Sequence, residues 1–471
     1  MSSVKYININ ETNEGAMDEV RKKQENRSIN MMVLTVFLQS IGFTLTMPSM
    51  YDYLYNDDPN HNTYFSFIVA SYSLGQFIGS PIFGKWSNRR NSGEPLIASI
   101  AISVIGSILY AVTYEFKTMG FVGVMVAARF IVGFGAGNVS VCRAYASEMA
   151  TLENKTIVMS KMSGAQGVGF VLGPIIGTVL NFINFHIKGL VVNGYTAPGY
   201  LQVLIAVINI LVVVFLFKDC RDLKKRNAPK QEESRGLLDD EQGLDNQKPN
   251  QEQAIFPIIL SIYLFAVVIS IFAVFETILT IMTKQYYGWE KIPNGLILGG
   301  SGILSIVVFI IISRPFIKKI EDRKTAIFGF INLFVALIIL TNYNHPLGKE
   351  TILPKVQLFI GTFFVSVGYP IASSLVYAIF SKILNPNSPT VGTKMGWLTA
   401  GGSLARMVGP IWAEAIWDST GSQGMVLFLA TAGLTLTAVI LLLVFYKTLA
   451  PHPEYKKQML LSNAIDNVDN K

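Results

Sequence analysis

Four of the ionisable side chains within the long apolar stretches of this chain are candidates for chemistry: Arg129, Glu276, Arg406 and Glu414. Arg129 opens the string RFIVGFGAG, in which Arg129, Gly133 and Gly137 share one helix face at i, i+4 and i+8. A guanidinium is too costly to leave against lipid, so this one is expected to face the interior of a helix bundle, where a charge is a candidate for function. Glu276 stands in FETILT beside Thr277 and Thr280. A carboxyl group kept from water can carry a proton, whereas a nearby cation turns it into a fixed counter-charge. Arg406 and Glu414 are eight residues apart, about 12 Å along a helix, which is too far for a direct pair. Each needs another partner. The expected one for Arg406 is Glu276, and Glu414 is expected at the lumenal water interface.

Enzyme chemistry is not indicated. No nucleophile, base and orienting group share a motif, so no catalytic residue and no cofactor are expected. His61, His186, His345 and His452 are scattered, without the i, i+3 or i, i+4 spacing of a metal site, and Cys142 and Cys220 are not placed for a lumenal disulfide.

The elements that must position these charges are membrane spans. Hydrophobic residues make up 51% of the chain and charged residues 15%, with a mean hydropathy of +0.43. Apolar stretches of bilayer-crossing length run at 30–50, 63–84, 96–114, 120–144, 159–182, 199–217, 255–283, 292–313, 326–342, 354–380, 393–416 and 424–446, and are numbered below as spans 1 to 12. Lys5, Arg21, Lys22, Lys23 and Arg27 precede span 1, Lys85, Arg89 and Arg90 follow span 2, and Arg314, Lys318, Lys319, Arg323 and Lys324 follow span 8. By the positive-inside rule all these segments are cytosolic, and both termini with them. The net charge of +7 is then a topology signal, and no nucleic-acid partner is expected. Residues 218–254 form the one long polar break and read as a disordered cytosolic linker. The expected organisation is a tail at 1–29, a six-helix bundle at 30–217, the linker at 218–254, a second bundle at 255–446 and a tail at 447–471.

The two bundles carry a repeated helix. Ala165, Gly169, Gly173, Pro174 and Gly177 of span 5 recur as Gly401, Ala405, Gly409, Pro410 and Ala413 of span 11, one shift of 236 residues carrying each onto the next. Small residues every fourth position cut a groove into which another helix fits closely. The shared groove is expected to serve packing between two halves that rock against each other. At the same shift Arg406 falls on Phe170, Glu276 on Ser40, and Arg129 on Val365, so the charges depart from the symmetry.

After span 2 the chain reads GKWSNRR, Gly84 to Arg90, with Gly75 and Gly79 before it. Arg89 and Arg90 can meet helix C-terminal carbonyls or carboxylates that latch one conformation. This string, the Arg129 stripe and the twelve spans in two parallel repeats resemble the major facilitator superfamily. The resemblance implies an all-α membrane protein of twelve transmembrane helices in two pseudo-symmetric six-helix bundles. Asn88 stands where the superfamily's loop motif has an aspartate, so a charge latch on that residue is not expected. Three strings, FGKWSNRR with Glu94-Pro95-Leu96, FETILT with Tyr287-Gly288-Trp289, and Met395 to Pro410, are similar to a lysosomal branch of the superfamily. That similarity implies a transporter of lysosomal and endosomal membranes, with chloride as its solute.

The linker supplies one further motif. Glu233 stands four positions before Leu237-Leu238, the spacing of an acidic dileucine signal read by sorting adaptors. The expected function is movement of a small solute, an anion such as chloride, through the lipid bilayer by alternating access, with protons as possible co-substrates. An anion channel on the same fold and a non-transporting sensor or scaffold are the other two readings.

Overall fold

In a computed structural model of the chain, residues 9–57, 64–116, 120–180, 182, 184–187, 190–221, 255–289, 291–341, 352–420 and 424–455 are described. Eleven of the described helices are long and apolar enough to cross a membrane. Span 11, Val391–Ser419, falls outside those eleven although it is 29 residues long. Its charged residues, Lys394, Arg406, Glu414 and Asp418, and its Gly, Ser and Thr positions lower its hydropathy, and spans 2 and 7 cover it closely. It completes twelve.

The first half comprises Ile9–Leu45, Phe65–Arg89, Gly93–Ala111, span 4 in two pieces (Phe121–Gly135 and Asn138–Met149), Lys155–Leu180 and Ala197–Leu216. The second comprises Ile255–Tyr287, Lys291–Ile312, Asp322–Thr341, Ile352–Ile383, Val391–Ser419 and Gly424–Val444. Span 1 begins before the expected position 30, and a short helix, Met47–Asp57, follows it. A two-stranded antiparallel hairpin, Asn184–Ile187 with Leu190–Asn193, lies between spans 5 and 6, with Asn184 opposite Asn193. Its apolar, β-branched second strand (LVVN) suits a hairpin, a signal that the sequence reading passed over.

Helix pairing repeats from half to half. Span 1 lies on 5, 2 on 4, and 3 on 4 and 6; six spans later 7 lies on 11, 8 on 10, and 9 on 10 and 12. Between the halves, span 2 lies along 11 and span 5 along 8. Glycine explains the closest approaches. A Cβ on Gly133 would overlap the Tyr72 carbonyl, and one on Gly137 would sit 2.5 Å from the Gly79 carbonyl carbon, so spans 2 and 4 meet backbone to backbone.

The repeated grooves are used differently from the expectation. Gly169 and Gly173 face Ser40 and Thr44 of span 1, and Gly409 faces Ala273 of span 7. Both grooves therefore seat a helix of their own half. The physical reason is that a long glycine groove yields continuous backbone proximity along two helices of one bundle; the interface between the halves uses other positions. Between the halves, Gly164 and Gly167 receive the Phe309 ring of span 8, and Gly84 meets the Gly392 backbone of span 11.

The linker also starts later than 218. Arg221 donates to the Ser87 and Arg90 carbonyls at 2.8 Å each and pairs with Asp219 at 2.7 Å, and Asp219 accepts the Ser92 N–H at 2.9 Å. Residues 218–221 are thus docked on the loop after span 2. The candidate sorting signal, Glu233, Leu237 and Leu238, lies outside the described residues.

Candidate solute site

Spans 2, 4, 5, 7, 8, 10 and 11 enclose a cavity of about 40 Å³ between the halves. It is room for a few water molecules or one small ion. Arg143 and Arg406 line it together with Gln76, Gln166, Tyr369 and Tyr377, and no carboxylate is among its lining residues.

Span 11 brings Arg406 to this cavity at mid-length. Its guanidinium lies 5.4 Å from the Phe43 ring centroid and 5.3 Å from that of Phe170, both in the other half. It makes no hydrogen bond or ion pair of 4.0 Å or less with any described residue. Proline adds to the polarity here. Pro174 and Pro410 sit inside their helices and lack an N–H, which leaves the carbonyls of Phe170 and Arg406, four residues earlier, without a helical donor.

Glu276 does not bridge to Arg406 as expected. The two charges act on each other, but no Glu276 oxygen comes within 4.0 Å of an Arg406 nitrogen. The reason is side-chain placement: Arg406 is drawn over the rings of the first half, while Glu276 stays exposed one turn beyond Phe272, whose ring stacks on Tyr369 at 4.2 Å. Glu414 is half-buried near Asp418 and does not line the cavity.

Arg129 is not brought to the cavity either. It is 1% exposed, donates to Thr46 Oγ1 at 2.8 Å and to the Phe43 carbonyl at 3.5 Å, and lies 5.0 Å from the Tyr72 ring centroid. The Phe43 ring, 5.7 Å from the Arg129 guanidinium, is contacted by Arg406 as well and partitions the two. Nε and Nη2 of Arg129 have no hydrogen-bond partner.

The sequence reading missed Arg143. It ended span 4 at 144, which made Arg143 a terminal residue, but the helix runs on to Met149. The signal was present in the small, apolar residues after it, Ala144, Ala146 and Met149. Arg143 is fully buried, donates to Ser163 Oγ at 3.2 Å and Gln166 Oε1 at 2.8 Å, and lies 3.5 Å from the Tyr377 ring centroid across the interface.

One end of the cavity is sealed. On the face that bears Arg89, Arg90 and the basic loop after span 8, here the basic face, Asn88 accepts the Gly392 N–H and donates to Thr393 Oγ1, both at 2.7 Å. Asn88 therefore caps span 11 of the other half without a charge. Arg89 and Arg90 are exposed, and the ionic contacts of this corner belong to Arg221. Nearby, Thr156 donates to Asp322 at 2.9 Å, Lys382 pairs with Asp322 at 2.5 Å, and Lys155 donates to the Ser381 carbonyl at 2.9 Å and to Tyr455 Oη at 2.5 Å. Gln76 accepts from Ser403 at 2.9 Å beside the cavity. Among the described residues, no hydrogen bond joins the halves beyond that level toward the opposite face.

The Major Facilitator Superfamily model matches residues 32–353. The chain belongs to the major facilitator superfamily. It is 33% identical to major facilitator superfamily domain-containing protein 8 of Xenopus laevis, over 93% of this chain and 94% of that one. Its fold is similar to that of the human organic anion transporter MFSD10, with a TM-score of 0.71 at 18% identity, over 89% and 99% of the two chains. The proton:xylose symporter XylE gives a TM-score of 0.71 at 15% identity, over 91% and 97%. The superfamily chain described here is accordingly a multi-pass membrane transporter by family. Among the described residues no group of three His, Cys, Asp or Glu side chains could hold a metal ion.

Proposed function

We propose that this superfamily member carries a small anion across the membrane of an acidic organelle by alternating access, with a proton as co-substrate. The observation that supports this most is Arg406: a guanidinium at mid-membrane, facing the space between the halves, with no carboxylate paired to it. An unpaired fork of donors in that position favours an anion, which supplies the missing charge. Arg406 is the anchor. Arg129, behind Phe43, adds positive potential without touching the solute.

Glu276 is the proton site. An anion seated on Arg406 cancels the positive field at Glu276, so anion and proton favour each other's binding. With the sealed basic face read as cytosolic from its positive loops, this arrangement serves in the proposed cycle as the lumen-open state. Opening requires the Asn88, Asp322 and Lys155 contacts to part while the grooves at Gly169, Gly173, Ala405 and Gly409 hold each half together. That two-ended arrangement supports a carrier over a channel, which needs one continuous pore.

Chloride as solute, and the lysosomal or endosomal membrane as location, rest on the resemblance of the three strings named above. The organic anion transporter among the structural neighbours widens the solute class to small organic anions. Delivery would use Glu233, Leu237 and Leu238 with a sorting adaptor. Purified protein in proteoliposomes, under imposed pH and chloride gradients, should show anion flux coupled to protons. Arg406→Gln should abolish it, and Glu276→Gln should uncouple it from pH. Wild-type flux in Arg406→Gln would overturn the assignment.

A further inference from the structure

Arg143 and Arg406 line one cavity from opposite halves, and the solute reading above uses only Arg406. Arg143 is the more enclosed of the two. Two of its nitrogens are held by neutral partners, Ser163 and Gln166, while Nε is buried with no hydrogen-bond partner. No described carboxylate pairs with it. A buried donor on a full positive charge is costly to leave unmade, and a bound anion meets both demands at once.

The cover over this guanidinium comes from the other half. The Tyr377 ring of span 10 lies on Arg143 of span 4 at 3.5 Å, a separation that cannot survive movement of the halves apart on the basic face. The seal that holds them, Ser147 against Ser381 at 2.6 Å, is one turn beyond each partner on spans 4 and 10. Parting the seal lifts the ring and bares the cation.

We propose that Arg143 is a second anion station, on the basic-face side of the cavity, for a small monovalent anion, and that Tyr377 is its lid. In the state seen here the anion enters from the opposite face to Arg406; when the halves rock, Arg143 receives it and Tyr377 withdraws to release it. The free volume of about 40 Å³ limits the head of the ligand to a halide or a carboxylate. This station rests on the transport reading given above.

The test uses full-length protein in proteoliposomes, with chloride and acetate as probes, comparing wild type with Arg143→Gln and Gln166→Glu. The second variant leaves the arginine in place and sets a carboxylate where Gln166 now accepts from Nη2, neutralising the station from within. Both variants should lose about tenfold or more in anion exchange. The thermal stabilisation that the same anions give through Arg406 should persist. Should wild type move neither probe, the transport reading itself fails. If wild type moves a probe and Gln166→Glu matches it, the station is overturned, whatever Arg143→Gln does, because loss in that variant alone marks a structural cation. Selective loss of acetate or of chloride exchange in both variants would support the station and identify which head group it takes.

Discussion

The two ends of the cavity are built from opposite materials. At the basic face, polar groups from both halves interlock: Asn88 with Gly392 and Thr393, Thr156 with Asp322 and Lys382, and Lys155 with Ser381 and Tyr455. Toward the opposite face no hydrogen bond joins the halves among the described residues, and Glu276 stands exposed. The hydrogen bonds of this seal, set around the close approach of Gly84 to Gly392, exchange readily for water, whereas the long glycine grooves within each half do not. In the proposed carrier cycle the first kind of joint parts and the second stays.

The largest effect should come from the backbone contact in that seal. Gly392→Val places side-chain atoms on the Gly84 backbone, with no flexible group to yield, so the halves cannot close on the basic face. Spin labels on the two halves there should report a longer distance than in wild type; an unchanged distance would mean that the seal does not depend on this approach. Next comes the ion pair. Asp322→Ala removes the inter-half acceptor of Thr156 and leaves Lys382 of its own half without its carboxylate, at a cost of about 3 kcal/mol to the stability of the protein, of which only the Thr156 share weighs on closure. Pairing it with Lys382→Met should recover part of that loss, read from thermal unfolding and the same labels.

A smaller effect belongs to the docked start of the linker. Burial pushes the Asp219 carboxyl up, but Arg221 and the Ser92 N–H outweigh it and hold the group below the usual carboxylate range. A depressed folded value stabilises above the unfolded one, about 3.9, and the gain disappears as pH falls through the folded value. Asp219→Asn should therefore lower the melting temperature at neutral pH, and the gap from wild type should close in acid. The smallest change is expected at the other end of the comparison. Glu414→Gln, outside both seal and cavity, should alter stability by no more than about 0.5 kcal/mol. A large effect there would show that the open end has structure of its own.

Much of this was legible in residue order. The period of small residues predicted two helix grooves, and both exist. Their partners were not legible, because periodicity describes one face of a helix and is silent about what lies against it. Arg129 illustrates the same limit: an interior position followed from the cost of a charge in lipid, but the side chain turned toward Thr46 and Tyr72 of its own half. Arg143 was lost for a different reason, an early end to span 4. Symmetry fared better. Arg406 and Phe170 are equivalent under the 236-residue shift, and in the structure they touch, as equivalent positions beside a pseudo-twofold axis must.

By itself the sequence determined the twelve spans, the repeat, the family and the rarity of buried charge, since each follows from hydrophobicity and spacing along one chain. Only the tertiary structure decided that Arg406 and Arg143 share a cavity from opposite halves, that Arg129 is walled off by Phe43, and that the seal lies on the basic face. These are relations between helices far apart in sequence. They depend on packing angles and rotamers, which no single helix encodes.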